Sequence, residues 1–191
     1  MKRAGLVLAA LLAAGLLAAV VAYATTVRDR DDVTVGFDIA KASSTHNRTS
    51  DELVATVDTY EPFAPSDFVT KDRPPSSVCI EIWTTNKPGE ATPNYEACAS
   101  ANATGKSWKA SLARTRTKGP QLRIGAVKVE QPSDTRLVMR FDPDMIHRPA
   151  SYRWRAETTS FASDCKSGTG CPDYAPDRPD TAETRLGRPR T

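Results

Sequence analysis

LRIGAVKVEQPSDTRLVMRF, residues 122–141, is the stretch whose periodicity decides the fold. Leu122 to Glu130 and Arg136 to Phe141 flank Gln131-Pro132-Ser133-Asp134. In the second arm Leu137, Met139 and Phe141 fall on one face, with Arg136, Val138 and Arg140 on the other. A repeat of two belongs to an extended strand, and Pro, Ser and Asp set turns, so the stretch predicts an antiparallel hairpin.

Working outward, the same pattern recurs. Tyr152, Trp154 and Ala156 alternate with Arg153, Arg155 and Glu157, the apolar-in, charged-out pattern of an antiparallel strand. Further strands are predicted over Val33 to Ala40, Leu53 to Tyr60, Val78 to Thr84, Tyr95 to Ala101 and Trp108 to Arg114. Seven or eight short strands, parted by Pro, Gly, Asn and Asp, predict an all-β fold, an antiparallel two-sheet sandwich over residues 33–171. This resembles immunoglobulin-like and fibronectin-like sandwiches in architecture alone, and architecture carries no function.

The flanks differ. Met1-Lys2-Arg3 precedes 18 uncharged residues, Gly5 to Ala22, and Ala22-Tyr23-Ala24 forms an A-x-A site. A basic start, an apolar run and small residues at that spacing predict an export signal over residues 1–24, cleaved after Ala24. The run exceeds the usual ~7 to 15 residues, so an uncleaved signal-anchor helix is the competing reading, with membrane contact confined to residues 4–24. Lys2 and Arg3 favour the cytoplasmic side, so either reading places the rest outside the cytoplasm, secreted or anchored to the outer face of the membrane. Residues 25–32 read as a charged linker. Residues 172–191, rich in Pro, Arg and Asp, read as a tail largely disordered past about Asp180.

The chain has 26 basic residues, two of them Lys2 and Arg3, against 23 acidic ones. Near-neutral, interspersed charge argues against a nucleic-acid partner. Cys79, Cys98, Cys165 and Cys171 are even in number, and in an oxidising compartment they predict two disulfides, Cys79 with Cys98 and Cys165 with Cys171. Spacings of x18 and x5 lack the close pairs of a zinc site.

Placing Cys79 opposite Cys98 sets Ile80 opposite Ala97 and Ile82 opposite Tyr95 on a core face. The other face then carries Glu81 opposite Glu96, together with Trp83. Facing carboxylates repel unless something lies between them. A cation held by Glu81 and Glu96, or a sugar stacked on Trp83, is the functional reading of that surface. A bridging Arg, or plain solvation, is the simpler one.

Catalytic patterns are absent. His46 and His147 stand outside any zinc-protease spacing, and no Ser sits in G-x-S-x-G. Asp142 and Asp144 could serve as paired glycosidase carboxylates, and Asp164, Asp173 and Asp177 as a calcium loop, but Asp in such places more often initiates turns. Asn47-Arg48-Thr49 and Asn102-Ala103-Thr104 match the glycosylation pattern, but the compositional bias looks bacterial, which discounts both. The expectation is a non-catalytic, extracytoplasmic binding or accessory module of the cell envelope, with no cofactor and an unidentified envelope component or ligand as partner. A secreted hydrolase and a membrane-anchored structural domain are the alternatives.

Overall fold

A computed structural model describes residues 24–33, 36–71, 73–85, 90–116, 118–161, 165 and 170–187. The expected signal or anchor helix falls almost entirely on residues 1–23 and lies outside these. Among the described residues no helix is long and apolar enough to cross a membrane.

The architecture is all-β, two antiparallel sheets packed face to face. The strands are β1 (Thr25–Arg28), β2 (Ile39–Asn47), β3 (Glu52–Thr59), β4 (Ser77–Trp83), β5 (Tyr95–Ala101), β6 (Trp108–Arg114), β7 (Leu122–Ala126), β8 (Lys128–Ser133), β9 (Arg136–Phe141), β10 (Ser151–Ser160), β11 (Cys171–Ala175) and β12 (Ala182–Arg185). One sheet runs β1-β2-β3-β9-β8. The other runs β11-β10-β4-β5-β6-β7, with β12 pairing β10 beside β11.

Alternation builds the core. Leu53, Ala55 and Val57 of β3 and Leu137, Met139 and Phe141 of β9 face Val78, Ile80 and Ile82 of β4, Ala97 and Ala99 of β5, and Tyr152, Trp154 and Ala156 of β10. Phe37, Phe63, Phe68 and Trp108 pack as one aromatic group, the Phe37 and Phe68 rings stacked at 4.1 Å and Trp108 edge-on to Phe68 at 4.8 Å. The 3-10 turn Pro65–Phe68 delivers Phe68 into it, and the Asp67 carboxylate accepts the Ala64 N–H at 2.7 Å.

Four expectations are corrected. Of the strand predicted over residues 33–40, Thr34 and Val35 lie outside the described residues, and among the described ones pairing begins at Ile39 and continues to Asn47. Ile39-Ala-Lys-Ala-Ser-Ser-Thr-His-Asn hides its period because Ser44 and His46 point inward. The single arm expected over 122–130 is two strands. At Val127, whose N–H bonds Ala110 O at 3.4 Å, the chain leaves the seven-stranded sheet and enters the five-stranded one. Thr25–Arg28, expected as linker, is an edge strand on β2.

The tail supplies two more strands. β11 pairs with β10 from Ala156 to Ser160, and β12 with β10 from Ser151 to Trp154. Few apolar residues predicted disorder, but polar burial holds this segment. Trp154 Nε1 donates to Thr184 Oγ1 at 2.9 Å, Thr184 Oγ1 donates to Ser44 O at 3.2 Å, and the hydroxyls of Ser44 and Tyr152 meet at 2.5 Å.

At the β2–β3 turn, Asn47 Oδ1 accepts the Thr49 and Ser50 N–H groups, and Asp51 takes φ 51°, which Asp tolerates. Asp51 binds Arg148 through both oxygens, at 2.9 and 2.7 Å, and His46 Nε2 at 2.8 Å. The other nitrogen, His46 Nδ1, accepts from Gly187 N. The Arg148 and His46 hydrogen bonds hold the Asp51 carboxyl down at about 2 against an ordinary 3.8. A depressed carboxyl contributes stability above its unfolded value and loses it as pH falls through the folded one. Between pH 4 and 2 the wild type is therefore expected to lose Tm more steeply than Asp51→Asn. Its half-exposed position makes the difference small and salt-sensitive. Parallel pH melts would refute the pairing.

Candidate functional site

Both disulfides, Cys79–Cys98 and Cys165–Cys171, are formed, and Cys79↔Cys98, Ile80↔Ala97, Glu81↔Glu96 and Ile82↔Tyr95 is the observed register. The outer face of β4 and β5 is therefore as read from the spacing. Its environment is not.

Glu81 and Trp83 are buried, at 5% and 2% exposure, because the chain beyond β10 folds back across them. Arg155, opposite Glu81 on β10, is 4% exposed and donates through Nε (2.7 Å) and Nη2 to the single oxygen Glu81 Oε2. Its guanidinium also stacks between Trp83, at 5.3 Å, and Tyr174 of β11, at 4.9 Å. The bridging Arg is thus present, although it lies beyond Glu81 rather than between the two carboxylates. Glu96 takes a separate partner, accepting from Gln121 Nε2 at 2.6 Å. Desolvation raises the Glu96 carboxyl, and Glu81 adds to the shift. Glu81 Oε2 is taken by Arg155 and Glu96 Oε2 by Gln121, and two guanidiniums lie over the indole, so this face presents neither an open carboxylate pair nor a bare indole ring.

What the fold-back makes instead is a cavity of about 240 Å³ over the same residues. Arg153 and Arg155 of β10, Trp83 of β4, Glu90 and the loop residues Arg178, Pro179 and Thr181 line it. That loop joins β11 to β12, which occupy successive halves of one edge of β10, so its residues must bulge outward. Arg178 is held there by the Tyr174 ring, 4.0 Å away. The Trp83 indole Nε1 is buried without a hydrogen-bond partner among the described residues. With Arg155 paired to Glu81, Arg153 and Arg178 stand against one lining carboxylate, Glu90, a balance that suits an anionic ligand with hydrogen-bond acceptors.

Asp142 and Asp144 are occupied locally. The Asp142 side chain caps the 3-10 turn Pro143–Ile146 by accepting from Asp144 N at 2.8 Å, and Asp144 accepts from Arg148 Nε at 2.7 Å. Both serve the turn, as Asp does at chain reversals. Asp164 lies outside the described residues. Sequence reasoning missed Arg155 and Arg178 as site residues. The alternation of Arg155 with Trp154 was visible, but its position opposite Glu81 requires β10 to pair with β4.

No family model, curated protein or solved structure matches the chain.

Proposed function

We propose that the chain is an exported, non-catalytic β-sandwich acting as a binding or accessory module of the cell envelope, and that its ligand is acidic. The carrying observation is the Trp83–Arg153–Arg155–Arg178 cavity on the outer face of the seven-stranded sheet. The basic, apolar, A-x-A start of the sequence and the two disulfides support the compartment. Carboxylated or phosphorylated polymers of the envelope match the chemistry of the lining. Guanidiniums bind such groups through paired N–H donors. Among the described lining residues Glu90 is the one carboxylate, beside three guanidiniums, a composition that suits binding.

The reading is tested by titrating the disulfide-intact protein with a uronic-acid trisaccharide and with its carboxyl-reduced counterpart, following Trp fluorescence. The acidic sugar is expected to bind and the neutral one to fail. Arg178→Ala should weaken binding by about tenfold, the value of one charge-assisted contact. Equal response to both sugars, or to neither, would reject the proposal.

A further inference from the structure

A second cluster lies far along the chain from that cavity and owes nothing to it. Asp29 follows β1, Asp38 precedes β2, and Asp173 stands in β11 on the face turned toward the five-stranded sheet. One carboxylate oxygen from each lies within 4.8 Å of the other two. Asp38 and Asp173 are 3% and 4% exposed.

The polar contacts of the three are incomplete. Asp173 Oδ2 accepts from Ile39 N at 2.6 Å and its Oδ1 from Tyr174 N at 2.7 Å. Asp38 Oδ2 accepts from Val33 N at 3.2 Å, and Asp29 Oδ1 from Arg30 N at 3.0 Å. The remaining oxygens, Asp38 Oδ1 and Asp29 Oδ2, are buried with no hydrogen-bond partner. No salt bridge reaches any of the three among the described residues. Backbone geometry fixes the arrangement. Gly36, at φ 115°, turns the chain ahead of Asp38, and a Cβ there would meet Ser160 Cβ at 3.0 Å. Asp29 N bonds Ala40 O at 3.1 Å, and Tyr60 N bonds Asp38 O at 3.0 Å.

We infer that Asp29, Asp38 and Asp173 form a calcium site that clamps the two sheets together at the β1–β2–β11 end of the sandwich. Three close carboxylates in a desolvated place need compensating positive charge, and two unsatisfied buried oxygens point to where it sits. Two oxygens on one Ca²⁺, at ~2.3–2.6 Å each, stand at most about 5 Å apart, so the 4.8 Å limit accommodates a single ion. All-oxygen donors favour Ca²⁺ or Mg²⁺ over zinc, and burial favours Ca²⁺, since Mg²⁺ gives up its waters reluctantly. Asp32 and Asp177 add negative potential nearby. The charged run Asp29-Arg30-Asp31-Asp32, read from sequence as linker, thus supplies one ligand, Asp29, which Asp173 joins from 144 positions further on.

The full chain, freed of metal with a chelator, is melted at neutral pH with CaCl₂ or MgCl₂, and calcium binding is counted by calorimetry. One Ca²⁺ per chain and a rising Tm are expected at roughly 10⁻⁴–10⁻³ M, the range of extracellular sites. Asp38→Asn should abolish that response while leaving the metal-free protein at least as stable as the wild type, because it removes a buried repulsive charge. Glu96→Gln should keep the response. No shift in the wild type up to roughly 10⁻² M calcium, equal stabilisation by magnesium, or a full response in Asp38→Asn would overturn the assignment.

Discussion

Replacing Arg155 by Ala is expected to destabilise the fold by about 3–5 kcal/mol, the loss that follows when one member of a buried ion pair is removed. Glu81 Oε2 takes two N–H bonds from this one guanidinium and lies where water does not reach. Without Arg155 the carboxylate is buried and uncompensated. The guanidinium also fills space between Trp83 and Tyr174, so the variant loses packing as well as charge. Both contributions separate in a double-mutant cycle. Arg155→Met keeps most of the packing, and combining it with Glu81→Gln removes the stranded charge, so that double variant should recover a large part of the loss. Denaturant unfolding of the wild type, Arg155→Met, Glu81→Gln and the double variant closes the cycle. A single Arg155→Ala variant within 1 kcal/mol of the wild type would mean that the pair is solvated and that the fold-back over β4 does not exist.

The second large effect belongs to Trp154. It is fully buried in the core, and its indole N–H is the donor that begins the path through Thr184 to Ser44. Truncation to Ala should cost about 3–5 kcal/mol through lost apolar burial and the cavity left behind. It should also loosen β12, whose hold on β10 combines four backbone positions with this polar chain. Thr184→Val is the milder companion. It preserves shape but leaves the Trp154 donor unmade, at about 1–3 kcal/mol. Amide exchange across residues 182–187 reports both, and protection unchanged in either variant would show that β12 is held by something else.

The sequence and the structure agree where a strand obeys its period and disagree where tertiary pairing overrides it. Tyr95–Ala101 and Trp108–Arg114 appear with the predicted bounds because apolar and polar residues alternate through them. The Cys79–Cys98 pairing fixed the β4–β5 register residue by residue. β2 was illegible because its inward positions hold Ser44 and His46, whose burial is acceptable only through Tyr152, Asp51 and Gly187, partners 108, 5 and 141 positions away. β12 was illegible for the same reason. The site follows this rule too. Glu81 and Trp83 were found from spacing, but their neighbours Arg155 and Arg178 come from strands and loops whose approach no local pattern announces. The acidic trio is the extreme case, since Asp29 read as linker, Asp38 as the polar face of a strand and Asp173 as a turn former.

The two ends of the described chain are neighbours. Thr25 donates its hydroxyl to the carbonyl of Glu183, and Gly187 N reaches His46. A polypeptide delivered N-terminus first therefore exposes β1 and β2 long before the residues that complete their surroundings arrive. Until β12 is available, the Trp154 indole N–H and the Ser44 carbonyl lack their bonds to the Thr184 hydroxyl. Pairings so distant in sequence come late in folding. That part of the core is therefore completed only when the last described strand is in place, so a local opening of β12 reaches the interior directly.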